Sequence, residues 1–133
     1  MTAPGAGPTP PAGPRVRFVE HKGRQILFHD FSNLLKVEDA LAAIAESRAI
    51  VRKQPPNSVL TLTEVTGSRF NREIVEALKE LTKGNKPHVK AGAIVGMTGI
   101  QRVVYIAVTQ FTGRRLPTFD TVLEAKDYLA GVA

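Results

Sequence analysis

Residues 58–81 read SVLTLTEVTGSRFNREIVEALKEL, and this stretch decides the fold. Its first eight residues are strand-like: Val59, Thr61, Thr63 and Val65 are β-branched, with leucines between them. A turn of small and hydroxyl residues follows, Thr66-Gly67-Ser68. Asn71 then stands where a helix wants its N-cap, because its side-chain oxygen can accept a first-turn N–H. Ile74, Ala77, Leu78 and Leu81 recur at helical spacing and predict one apolar face. Strand, turn and amphipathic helix in that order are the building unit of parallel sheets.

The same alternation extends in both directions. Upstream, residues 37–53 carry Val37, Ala40, Leu41, Ile44, Ala45 and Val51 on one helical face. Gln54-Pro55-Pro56-Asn57 stops that helix, since proline cannot continue it and restricts the residue before it. Downstream, Lys83-Gly84-Asn85-Lys86-Pro87 closes the second helix, with Gly84 predicted as a left-handed cap. VKAGAIV at 89–95 reads as a strand buried on both faces. After the turn Gly96-Met97-Thr98-Gly99, with Thr98 as cap, residues 99–111 form a very apolar segment. Its β-branched content also suits a strand, but its length and glycine-threonine start favour a helix. Thr112-Gly113-Arg114-Arg115 ends it, and 116–119 is a short extended piece. Thr121 to Glu124 has capping-box spacing. The last helix carries the stripe Val122, Ala125, Leu129 and Val132.

At the N-terminal side, RVRFVE (15–20) and QILFHD (25–30) flank the short glycine-containing connection 21–24 and predict a β-hairpin, with Val16 and Phe18 on one face. The order is β-β-α-β-α-β-α-(β)-α. It predicts an α/β domain over 15–133, with a mostly parallel sheet, right-handed crossovers, an antiparallel hairpin at its edge and about four helices. Residues 1–14 (MTAPGAGPTPPAGP) lack the apolar area to fold and are expected to be a disordered, polyproline-like tail.

Composition narrows the chemistry. A chain of 133 residues with 43% hydrophobic content can bury a core without staples. It has no cysteine, which removes disulfides, thiolate metal sites and cysteine nucleophiles. No apolar run reaches membrane-spanning length and no signal peptide opens the chain, so a cytoplasmic location is expected. The net charge of +6 comes from basic residues spread along the chain. They are not interleaved with base-stacking aromatics, so the charge reads as solubility and nucleic acid is not an expected partner.

No catalytic set assembles from the sequence. His21, His29 and His88 have no ligand-like spacing, so neither a metal nor a cofactor is expected, and they read as exposed or half-buried. Ser68 lies in a strand-to-helix turn, but the local Thr66-Gly67-Ser68-Arg69-Phe70 lacks the nucleophile-elbow pattern. GAIVGMTG, with Gly92, Gly96 and Gly99, matches neither a P-loop nor a dinucleotide fingerprint and reads as tight turn packing. Asp30, Asn33 and Glu64 fall at strand ends, where solvated turn residues are the default reading.

HKGRQILFHDFSNL, IVRKQPPNSVLTLTEVTGSRFNREIVEALKE, VKAGAIVGMTGIQRVV and FDTVLEAKDYL together resemble the STAS-like family. Within it they are similar to the stand-alone bacterial group related to the sporulation anti-anti-sigma factors. The resemblance covers about residues 15–132 and rests on core and turn patterns. It implies a small α/β sandwich with helices mainly on one face, and a regulatory module that contacts another protein and is not an enzyme. The family's switch is a serine or threonine at the start of the second helix, where phosphorylation adds about 1.5 to 2 negative charges. If Phe70-Asn71 replaces the family's hydrophobic-Asp pair, Arg72 stands at the phosphoacceptor position. If the loop is shifted, Ser68 or Thr66 takes that role. The implied contact surface is Thr66, Gly67, Ser68, Arg69, Asn71 and Arg72 with Met97 and Thr98, because both turns follow parallel strands. The alternative is a small apolar-ligand or lipid-binding domain. It rests on the apolar 100–111 segment and on a fold-level likeness to the CRAL-TRIO lipid carriers.

Overall fold

The computed structural model describes residues 14–113 and 116–133. The expected tail therefore lies, apart from Pro14, outside the described residues, as do Arg114 and Arg115. The elements follow the predicted order: β1 (Val16–His21), β2 (Arg24–Asp30), α1 (Val37–Val51), β3 (Val59–Glu64), α2 (Arg72–Asn85), β4 (Val89–Val95), α3 (Gly99–Thr112), β5 (Thr118–Phe119) and α4 (Val122–Ala130). The strands form one sheet in the order β1-β2-β3-β4-β5. β1 and β2 pair antiparallel, and every later pairing is parallel. The hairpin turn places Lys22 and Gly23 both at positive φ, the pattern of the type I′ turns that commonly join antiparallel strands.

Because strand order follows chain order, α1, α2 and α3 each carry the chain to the adjacent strand. One face of the sheet packs Leu27, Val59 and Val65 beneath α1 and α2, with Ala40, Ala43, Ile44, Val51, Ile74 and Leu81 in the shared core. The other face packs Ile26, Leu60, Leu62, Ala93 and Val95 against Ala125 and Leu129 of α4. The alternation Leu60/Thr61/Leu62/Thr63 thus splits β3 between two cores, as period-2 side-chain direction demands. α3 packs chiefly on α2 rather than directly on the strands.

The caps largely follow the sequence. Asn71 Oδ1 accepts from Ile74 N at 2.9 Å. Thr121 Oγ1 accepts from Glu124 N at 3.2 Å and donates to the Glu124 carboxylate at 2.9 Å. Gly113 closes α3 in the left-handed region at φ 70°.

Four details differ from the sequence reading. Gly84 is not a left-handed cap: α2 continues to Asn85, and the missing side chain makes room for the Arg52 guanidinium, which a Cβ would strike. Thr98 occupies the N-cap position of α3 but makes no side-chain cap bond, its hydroxyl turning instead to Gln101 Oε1 at 3.3 Å. On α1 the buried positions are Ala40, Ala43, Ile44, Ser47 and Val51, while Ala45 is exposed. Val37 and Leu41 are half-buried against the same core, so the buried face is shifted toward Ala43 and Ser47. Phe18 is 43% exposed although Val16 on the same face is buried, since β1 is the sheet edge and its far end has little covering it.

Candidate functional site

The two turns singled out in the sequence meet at the carboxyl end of the parallel strands. β3 leads into Thr66–Arg69 and β4 into Gly96–Thr98, and Val65 N donates to Val95 O at 2.9 Å where the strands part. Gly96 is at φ 84°, and a side chain there would collide with Thr66 Oγ1. Its glycine therefore serves close packing of the two turns, as the glycine-rich stretch suggested. Gln101, in the first turn of α3, donates from Nε2 to Ser68 O at 2.7 Å and joins the third element to the edge.

Ser68 is the centre of this edge. It is fully buried. Its hydroxyl donates to Phe31 O and accepts from Leu34 N at 2.9 Å. Asn33 N also donates to Thr66 O at 2.8 Å, and Arg69 N to Leu34 O at 3.1 Å. The turn after β3 is thus stitched to the segment after β2, which has no regular backbone ladder of its own. The donor and one acceptor site of the serine hydroxyl are spent inside the protein. Of the two hydroxyls considered as phosphoacceptors, Thr66 is exposed and Ser68 is enclosed. Around Ser68, the side chains of Arg69, Asn71, Arg72 and Thr98 are exposed and Met97 is half-buried.

The strand-end carboxylates brace their own turns. Asp30 Oδ1 accepts from Ser32 N at 3.2 Å and from the Ser32 hydroxyl at 2.5 Å. Glu64 Oε1 accepts from Thr66 N at 2.6 Å. At the far side of the molecule His21 Nε2 lies 2.7 Å from Asp127 Oδ1. That contact, then Lys22, holds the Asp127 carboxyl below its ordinary range and fastens the hairpin turn to α4. His88 Nδ1 lies 2.8 Å from Gln54 O. Among the described residues no cluster of histidine and carboxylate side chains could hold a metal ion.

His29 departs from its expected exposure: it is buried on β2, beneath α1. Its Nδ1 lies 3.1 Å from Thr63 Oγ1 and its Nε2 2.7 Å from Ser47 Oγ. Burial pushes the imidazole pKa down to about 4, so the ring is neutral at pH 7. Asn85, in the last turn of α2, donates from Nδ2 to Ser47 Oγ at 3.2 Å, while its side-chain oxygen Oδ1 is buried without a partner. Thr63, His29, Ser47 and Asn85 therefore form an uncharged polar chain running from β3 through β2 and α1 to α2. They line one side of an open-sided pocket of about 140 Å³ between the sheet, α2 and α3.

Thr61 and Thr63 of β3 form part of the pocket's floor. Gly92, beside Thr61 in the strand register, leaves room that the Leu116 side chain covers. Phe70, Leu78, Leu81, Ile94, Val104 and Val108 supply its apolar wall. Met97 and Gln101 also border it, so the pocket and the turn edge share two residues. The sequence reading passed over Ser47, Asn85 and Gln101. The signal available was the pair of short polar side chains, Thr61 and Thr63, on one face of β3.

Compared with protein-family models, curated proteins and solved structures, the chain finds no match. No helix among the described residues is long and apolar enough to cross a membrane.

Proposed function

We propose that this chain is a non-catalytic regulatory module that binds another protein through the edge formed by Thr66, Gly67, Arg69, Asn71, Arg72, Met97 and Thr98. The observation that carries the reading is Ser68: a buried hydroxyl pins an exposed turn to the segment that follows β2. A surface already held in one shape loses little conformational entropy on association. The resemblance to the anti-sigma-factor antagonists supports the same end of the sheet, as does the general preference for ligands at the carboxyl ends of parallel strands. The exposed guanidinium groups of Arg69 and Arg72 favour a partner with an acidic rim. Val103 and Ile106, exposed on α3, add apolar area.

A switch at this edge would act on Thr66, the exposed hydroxyl. A phosphate there would stand beside the Glu64 carboxylate, which already accepts from Thr66 N, and like-charge repulsion would open the turn. The test is a photo-reactive residue at Arg69 or Thr98 in native cell extract, with Asn57, at the opposite ends of the strands, as the control site. Crosslinking to one protein from the edge alone is expected. Charge reversal of Arg69 and Arg72 should then weaken the purified pair by about tenfold or more. Equal capture from Asn57, or indifference to charge reversal, would sink the proposal.

A further inference from the structure

Protein interiors are packed like organic crystals, with few voids larger than a water molecule. An apolar-walled pocket of about 140 Å³ in so small a domain therefore calls for a reason. Its volume is close to that of a cavity able to take a benzene ring. Its polar side is equally specific. Buried polar atoms are nearly always hydrogen-bonded, yet the chain Thr63–His29–Ser47–Asn85 ends on an amide oxygen with nothing to bond, in a residue 6% exposed.

From these two observations we infer that the pocket binds a small, uncharged, mainly apolar molecule bearing one hydroxyl group, such as a phenol or a cyclic alcohol, with the hydroxyl on Asn85. The ring lies against Leu78, Val104 and Val108, and its O–H donates to the amide oxygen. Were the amide turned over, the same hydroxyl would accept from its N–H, so a hydroxyl suits either orientation. An anion is disfavoured because every member of the polar chain is neutral. The nearest cation lining the pocket is Lys86, whose Nζ donates to Thr112 O at 3.1 Å at the exposed rim. This site is separate from the protein-binding edge, although Met97 and Gln101 border both.

The experiment is an amide-NMR titration of the full chain at pH 7 with phenol, benzene and benzoate. Phenol should give saturable shifts concentrated at residues 29, 47, 85 and 104, and benzoate should give none there. In Asn85→Leu, which keeps the branched heavy-atom skeleton and removes the orphan oxygen, the affinity ratio of phenol to benzene should fall by about fivefold or more. Val104→Phe fills the pocket and should abolish binding of both; it also serves if Asn85→Leu does not fold. The inference is overturned by the absence of saturable binding up to about 10 mM. It is equally overturned by benzoate competing as well as phenol, by an unchanged ratio in Asn85→Leu, or by phenol binding that survives Val104→Phe.

Discussion

Two serines in this protein are buried to the same degree and do opposite work. Ser68 and Ser47 are both inaccessible to solvent. Ser68 sits in a complete set: it donates to one backbone carbonyl and accepts from one backbone N–H. Ser47 sits in an incomplete set, between a neutral imidazole and an amide that still has one atom unpaired. A complete buried polar set fixes the backbone around it. An incomplete one stores a cost that some further group can relieve. Burial alone does not separate these cases; only the count of partners does.

The largest expected effect comes from breaking the complete set. Ser68→Ala leaves Phe31 O and Leu34 N buried without partners. Each such group costs roughly 1–3 kcal/mol, so denaturant unfolding should show a loss of about 3–4 kcal/mol. A loss below about 1 kcal/mol would mean the neighbouring backbone bonds hold the turn without the serine.

The incomplete set should show itself through pH. The folded His29 pKa, about 4, lies below its ordinary 6.5. Below 6.5 the unfolded chain takes a proton that the native chain refuses. The stability owed to neutral His29 is therefore fully present above pH 6.5 and drains away as the pH falls toward 4, by up to about 3 kcal/mol. Unfolding midpoints measured from pH 7 to pH 4 should show this slope in the parent and in Ser68→Ala. In His29→Gln the slope should flatten; an unchanged slope would assign the acid sensitivity to other groups.

The smallest effect is the sharpest contrast. Asn85→Leu removes a polar group whose carbonyl is unpaired, and Ser47 and His29 keep each other. Its stability should stay within about 1 kcal/mol of the parent, or rise. Thermal unfolding beside Ser68→Ala would test the comparison directly: equal losses would mean that the partner count does not distinguish the two serines.

Much of the fold was legible because it is written locally. The β-branched run before Thr66, the cap at Asn71 and the Thr121 cap depend on residues a few positions apart and appear as read, although the Glu124 carboxylate pairs with the Thr121 hydroxyl and not with its backbone N–H. Gly84 misled because its role depends on Arg52, which is 32 positions away in sequence. The turns at Thr66–Arg69 and Met97–Thr98 could be placed at one end of the sheet from strand direction alone. That Ser68 turns inward, leaving Thr66 as the accessible hydroxyl, could not.

The sequence by itself determined the α/β alternation, the hairpin edge and the main helix stripes, because side-chain periodicity and capping are short-range. Tertiary structure alone decided which serine is a staple, that His29 is buried and neutral, and that His29, Ser47 and Asn85, from three separate elements, line one pocket. The physical reason is the same in each case. Hydrogen-bond partners and cavity walls come from segments the chain brings together only by folding, such as the 38 positions between Ser47 and Asn85, and no local pattern encodes that adjacency.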